Sequence, residues 1–324
     1  MYYTKNTMKN KLFRGFGILL ILCLIGIAGG SFYMLSYSLT PDKGQNDEDR
    51  SYQKMVADYP FLEKWVDSLR RISALRDTFI VNREGIRLHA YYIAAGAPAS
   101  RTAVVVHGYT DNAVRMFMIG YMYERELGYN VLLPDLQYHG RSEGKAIQMG
   151  WKDRLDVMEW INVADQIFGG HTHMVVHGIS MGAATTMMLS GEVLPACVKC
   201  FVEDCGYTSV WEQFSKELKE QFGLPAFPLL YTASWFCDWK YGWNFQEASA
   251  IRQVEKCQLP MLFIHGDQDA YVLTEMVYDL YKAKPEPKQL WIVPGAAHAV
   301  SYKENPKAYT EKVRAFLERY NSVS

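Results

Sequence analysis

The chain has little of what would mark a specialised class. Its charge is nearly balanced, 34 Lys and Arg against 35 Asp and Glu, for a formal net charge of −1. That balance leaves neither the basic excess expected of a nucleic-acid binder nor the acidic excess of a disordered tail. Six cysteines are too few for a disulfide scaffold in 324 residues. Cys23 falls in an apolar stretch, and of the five that follow at least one is unpaired within the chain. Cys197-x-x-Cys200 has no second pair at zinc-ribbon spacing, and His171 and His173 lack further ligands, so no metal is expected. No His-Glu-x-x-His pattern, P-loop, internal repeat or low-complexity segment occurs, and no cofactor is expected.

The chain also lacks any charge between Gly15 and Pro41, and Phe16 to Ile27 is almost wholly apolar. Such a run is long enough to cross a bilayer. Lys5, Lys9, Lys11 and Arg14 precede it, and the stretch Asp42 to Arg50 beyond it holds more acid than base. The asymmetry predicts a cytoplasmic segment 1–14, a signal anchor over 15–37 and a non-cytoplasmic remainder. A cleaved signal peptide, with Ala28 and Gly30 at the cleavage site, is the competing reading. Against it, the apolar stretch runs on through Phe32, Tyr33, Met34 and Leu35. Leu22 stands before Cys23 where a lipoprotein signal would place a small residue.

Residues 38–75 read as a polar linker ending in a short amphipathic helix around Phe61, Trp65 and Leu69. Then the period changes. Asp77 to Val81 and Ile86 to Ile93 read as strands joined by the turn Asn82 to Gly85. Thr102 to Val106 is a short unbroken apolar run, as in a strand buried on both faces. Helices are expected over Ala113 to Leu127, Trp151 to Phe168, Leu273 to Ala283 and Asn305 to Tyr320. Between them lie strands at Asn130 to Leu133, His173 to Val176, Val198 to Val202, Met261 to Ile264 and Gln289 to Val293. Alternation of this kind predicts a mostly parallel sheet with helices on both faces, entered through an antiparallel hairpin. Any active site then belongs at the carboxyl ends of the strands.

Those ends carry the chemistry. Gly178-Ile179-Ser180-Met181-Gly182 is a G-x-S-x-G pattern between an apolar run and a run of small residues. In a strand–turn–helix setting the glycines permit a strained turn, the Ser180 hydroxyl stands above the sheet, and the Met181 N–H opens the next helix. Alone, the pattern could be a strand ending in a Gly-Ser loop. The other strand ends narrow the choice: His107-Gly108-Tyr109, Pro134-Asp135, His265-Gly266-Asp267-Gln268-Asp269 and Pro294-Gly295-Ala296-Ala297-His298. The Tyr109 N–H is placed to be a second oxyanion donor beside that of Met181.

On these motifs, residues 76–322 resemble the α/β-hydrolase superfamily, within it most closely the esterase and serine-peptidase-like branch of membrane-associated hydrolases. The resemblance implies Ser180 as nucleophile, Asp269 as acid and His298 as base, in the chain order Ser…Asp…His of that fold. It implies a serine hydrolase acting on a small-molecule ester or acyl substrate through an acyl-enzyme. A peptidase or amide hydrolase with the same triad is the alternative, and a catalytically silent, membrane-tethered binding protein a third. Asp204 is a competing acid, since some members carry it after the preceding strand; its neighbours Cys205-Gly206 suit an anchor for the insertion that follows. His107 and His265 read as loop-shaping residues, and Asp135 as a support for the loop beside the site.

The insertion, about 206–255, is rich in aromatics, among them Tyr207, Trp211, Trp235, Trp239 and Trp243, with Gly223 to Pro225 and Pro228 as breakers. It reads as a small helical cap. Most of the aromatics are expected to pack it in place, and the remainder to offer an apolar pocket for an acyl or aromatic group.

Overall fold

The computed structural model describes residues 2–42, 47–95 and 100–321, with side chains from Phe13 onward. Residues 43–46 of the expected linker and the side chains of Lys5, Lys9 and Lys11 lie outside the described part. Helix α1 (Tyr2–Leu39) holds the N-terminal apolar run, and its segment Phe13–Leu39 is long and apolar enough to cross a membrane. By internal packing the chain forms two units: Met1–Pro41 with Phe214–Phe245, and Asp42–Gln213 with Gln246–Ser324.

The larger unit begins with two helices where sequence reading expected one. α2 (Glu48–Asp58) starts at Asp47, whose carboxylate accepts from the Asp49 N–H, and α3 (Phe61–Arg71) follows almost at once. α2 escapes a search for apolar stripes because it buries only Ser51 and Met55. α3 buries Leu62, Trp65, Val66 and Leu69, the i, i+3, i+4, i+7 face of an amphipathic helix.

The sheet has eight strands: β1 (Leu75–Val81), β2 (Arg87–Ile93), β3 (Arg101–Val106), β4 (Asn130–Pro134), β5 (His173–Ile179), β6 (Val198–Asp204), β7 (Met261–Gly266) and β8 (Lys288–Val293). Their spatial order is β1-β2-β4-β3-β5-β6-β7-β8. β1 and β2 form an antiparallel hairpin, β2 meets β4 antiparallel, and every later pairing is parallel. This is the α/β-hydrolase fold. Parallel strands need crossover helices on both faces, so the central strands are buried throughout and consist of short apolar runs. Ala103, Val105, Val131, Leu133, Val175 and Val202 join a core with α2, α3 and the C-terminal helix, while the alternate residues face the other helical layer.

The helix expected over Ala113 to Leu127 is broken into a 3₁₀ turn (Ala113–Met116), α4 (Phe117–Tyr121) and a π turn (Met122–Glu126). Phe117 to Gly120 are buried in succession instead of on one stripe, while Arg125 and Glu126 are exposed. A π turn adds a residue per turn, and adjacent Met122 and Tyr123 are both buried, with Tyr123 Oη 3.0 Å from His177 Nδ1. Regular crossovers follow: α5 (Asp153–Ile167), α6 (Met181–Leu189), then α7 (Val210–Phe222), α8 (Leu229–Tyr241) and α9 (Ala250–Val254), with α10 (Glu275–Ala283) after β7. The chain closes with α11 (Ser301–Glu304) and α12 (Pro306–Tyr320), the latter with proline at its first turn, where no N–H is needed.

In the smaller unit α1 packs along α8. Ser31 Oγ donates to the Leu229 carbonyl at 3.0 Å, and the Phe32 ring meets Phe236 edge-on at 6.1 Å. Tyr37 meets Phe222 in the same way. α8 ends at Gly242 in the left-handed conformation, φ 72°, whose N–H returns to the Asp238 carbonyl.

Candidate active site

β5 runs straight into Ser180, which holds φ 57° and ψ −118°, and Met181 opens α6. A non-glycine residue there carries strain of about 1–3 kcal/mol, sustained only when its surroundings leave no alternative. The surroundings are tight on both sides. A side chain at Gly178 would sit on the Gly182 carbonyl, and one at Gly182 on the carbonyl of Val106. The Ser180 N–H donates to the Asp204 carbonyl at 2.8 Å, and its own carbonyl accepts from Ala184 at 3.0 Å. Strand, turn and helix thus leave room only for glycine at both positions.

The turn brings together residues far apart in sequence. Ser180 Oγ lies 2.9 Å from His298 Nε2, and His298 Nδ1 lies 2.7 Å from Asp269 Oδ2. Asp269 is buried, and its Oδ1 accepts from the N–H groups of Tyr271 and Val272 at 3.0 and 2.9 Å. Burial alone would raise this carboxyl, but His265 and His298 outweigh it and hold the group well below the usual carboxylate range. His265 is buried behind it, its Nε2 2.9 Å from the Val272 carbonyl and 3.3 Å from Asp269 Oδ2. Burial opposes the protonation of His265, and the acids Asp269 and Glu203 more than compensate, raising it.

Asp204 is not at His298. Its carboxylate accepts from Tyr309 Oη at 3.0 Å and from Ser301 Oγ at 3.3 Å, which ties it to α12 and α11. Burial pushes it up to about 6. Glu203 beside it is pushed up to about 8, also by burial.

Tyr109 follows Gly108 at the end of β3 and lines the same cleft as Ser180 and His298. At Gly108 a β-carbon would lie 3.4 Å from Ser180 Cβ, so the two loops touch. Met181 is the first residue of α6, where the helix itself provides no acceptor for the N–H. The cleft measures about 450 Å³. Its wall includes groups that sequence reading did not single out: Asp58 and Tyr59 from the end of α2, Arg115, Tyr271 and Lys303. Asp58 accepts from Arg115 at 3.1 Å and from Lys303 at 2.6 Å. Burial works against its charge, and the two cations hold it below its ordinary value. Only the basic and acidic side chains themselves were visible in the sequence; nothing local there links them.

The supporting residues do what loop geometry requires. His107 Nε2 accepts from the Leu136 N–H at 3.0 Å and burial lowers its basicity, so it bridges two loops as a neutral ring. Asp135 accepts from the N–H groups of Ala113 and Arg141 and pairs with His89 at 2.7 Å. Donor atoms of Cys205, Asp269 and His298 lie within 4.8 Å of one another, close enough to suggest a metal group. Burial holds the Cys205 thiol well above its usual range, however, and the other two are engaged with each other.

The sequence profile of the prolyl oligopeptidase family matches residues 135–323. A Bacillus subtilis (strain 168) protein, uncharacterized YqkD, is 29% identical over 237 residues, 73% of this chain and 77% of its own length. Among solved structures, the Pyrococcus furiosus esterase Pf2001 superposes with a TM-score of 0.63 at 24% identity, over 78% of this chain and 95% of that one. The Pyrococcus horikoshii acylaminoacyl peptidase gives 0.57 at 14% identity, over 78% of this chain and 42% of its own.

Proposed function

The chain belongs to the prolyl oligopeptidase family of α/β-hydrolase serine hydrolases, and from that premise we propose that it cleaves carboxylic esters through Ser180, His298 and Asp269. The observation that carries this reading is the unbroken chain of contacts from Ser180 Oγ through the His298 ring to Asp269 Oδ2, 2.9 and 2.7 Å long. A serine hydroxyl attacks a carbonyl only when a base removes its proton as the bond forms. With the Nδ1–H donated to Asp269, the lone pair of His298 Nε2 faces the hydroxyl. Ser180 Oγ bonds to the acyl carbon, its proton passes to Nε2, and the imidazolium that results is stabilised by the Asp269 charge. The carbonyl oxygen becomes an oxyanion held by the Met181 and Tyr109 N–H groups; losing one such donor typically costs about 10²–10³ in rate. The imidazolium then gives its proton to the departing alcohol. Water, deprotonated by the same ring, releases the acid and restores Ser180.

The family's peptidase description and the peptidase among the structural neighbours favour peptide or amide cleavage as the second reading. The triad serves either, because both reactions pass through the same oxyanion.

Ser180→Ala decides the nucleophile. The variant should keep its fold and lose on the order of 10⁶ in turnover, and a fluorophosphonate should label the wild type alone. Turnover of the variant at more than a trace, or a label on another serine, would refute the mechanism. A panel of esters beside aminoacyl amides, run on the wild type, ranks the two substrate classes.

The same proposal places the enzyme on a membrane. α1 serves as an uncleaved anchor, with residues 1–14 cytoplasmic, segment 15–37 in the bilayer, a linker and short helices over 38–75, of which α2 and α3 pack into the core, and the hydrolase domain 76–322 outside, its cap at about 206–255. Protease added to spheroplasts should digest the domain. A domain protected until lysis, or a mature chain beginning near Ser31, would overturn the topology.

A further inference from the structure

α8 has three faces, of which one is buried, one meets α1 and one is exposed. Leu230, Ala233, Ser234, Cys237 and Tyr241 are buried. Leu229 and Phe236 meet α1, and Lys240 Nζ stands 5.0 Å from the Phe32 ring centre. The third face is a file of aromatics at four-residue spacing, which is one line along a helix: Tyr231, Trp235 and Trp239, with Phe227 just ahead of the helix. They are 52, 62, 74 and 72% exposed respectively. Scattered single apolar residues on a surface need no explanation; a contiguous file of large rings does. The Phe227 ring packs on Tyr231 at 5.8 Å, which extends the file beyond the helix start.

The position of this file along α1 indicates what covers it. The apolar run Phe16 to Leu35 rises about 30 Å at 1.5 Å per residue, close to the thickness of a bilayer's hydrocarbon core. Its side chains from Phe16 to Ile25 are exposed within the unit. α8 meets α1 toward the far end of that run, through Gly30, Ser31 and Phe32, just before Ser36, Ser38 and Thr40 restore polarity. A helix clasped there lies about 5–8 Å inside the edge of that core, the depth to which a helix at the headgroup–acyl boundary buries its apolar face. Tryptophan and tyrosine prefer that depth, because the ring is apolar and one edge carries a hydrogen-bonding group.

We infer that the Phe227–Tyr231–Trp235–Trp239 face docks into the headgroup–acyl boundary of the leaflet through which α1 leaves the membrane. The insertion and the anchor thereby form one membrane-seated element. This rests on the reading of α1 as a membrane anchor, and it adds a second attachment.

The test uses the full chain reconstituted into phosphatidylcholine vesicles whose acyl chains carry bromine either near the headgroup or near the chain end. The protein has eight tryptophans. Trp235 and Trp239 are the exposed ones; the other six are buried or half-buried. Shallow bromine should quench the wild type more than deep bromine. In Trp235→Phe/Trp239→Phe, which keeps the rings but removes both indoles, the shallow quenching should fall several-fold. Flotation of the vesicles reads the anchor separately. A chain that floats without shallow quenching retains its anchor and overturns the docking; burial of the file between two copies would give that result too. Stronger quenching by deep bromine overturns the headgroup depth. A chain that does not float refutes the anchor, and the docking falls with it. The wild-type measurements decide the matter even if the variant misfolds.

Discussion

Strands β6 and β7 lie side by side and each ends in acid, yet the two ends behave in opposite ways. Asp204 closes β6 under Tyr309 and Ser301, and burial raises its carboxyl to about 6. Asp269 stands three residues beyond β7, equally hidden from solvent, and is held far below the ordinary range. Burial acts on both in the same direction. The difference lies in their partners: Asp204 receives two neutral hydroxyls, whereas Asp269 faces the rings of His265 and His298 and accepts two backbone N–H groups. Hydroxyls stabilise a carboxylate weakly; a ring that can become a cation stabilises it strongly. A carboxylate suited to orient a catalytic imidazole is therefore one whose charge its neighbours favour. Of the two strand ends, that of β7 supplies it.

The sharpest way to break the comparison is to neutralise Asp269. Asp269→Asn should lower turnover by about 10⁴, because an amide can hold His298 in the wrong tautomer. Asp204→Asn should cost less than about tenfold, its contacts with Tyr309 and Ser301 being structural. If the rates came out the other way round, the acid would belong to Asp204.

A smaller effect sharpens the contrast through stability. The raised Asp204 carboxyl is protonated and compatible with burial below its unfolded pKa, near 4. It costs stability as pH rises toward its folded value of about 6. Asp204→Asn should therefore gain a few degrees of Tm relative to wild type between about pH 4 and pH 7. Asp269 has the opposite sign. Its depressed pKa contributes stability above about pH 4, lost as pH falls through the folded value, so Asp269→Asn should lose Tm at neutral pH and approach wild type in acid. Thermal unfolding of Asp204→Asn at pH 4 and 7, and of Asp269→Asn at pH 7 and at about pH 2, reads the signs. A difference independent of pH in either variant would remove the electrostatic account of that strand end.

Much of the fold was legible in order along the chain. The hairpin, the parallel alternation and the position of every strand follow from period and run length, because a parallel sheet covered on both faces demands short unbroken apolar runs. The helix after β3 was not legible as a broken element, since the consecutive buried residues Phe117 to Gly120 erase the one-sided stripe by which helices are recognised. α2 was missed for the converse reason, since it buries too little. At the site, the glycines around Ser180 were readable because their requirement is local, a turn too tight for any side chain. Asp58, Arg115 and Lys303 were not, since their contacts join positions whose spacing along the chain carries no signal.

The sequence by itself determined the order of the elements, the strained turn at Ser180 and the candidates Asp269 and His298 at neighbouring strand ends. These depend on local backbone sterics and on the periodicity of burial, both written in consecutive residues. Tertiary structure decided which carboxylate meets His298, and that α1 lies against α8 with the aromatic file left open. Those outcomes depend on desolvation and on side chains that approach through space, and neither quantity exists until the sheet has brought distant residues together.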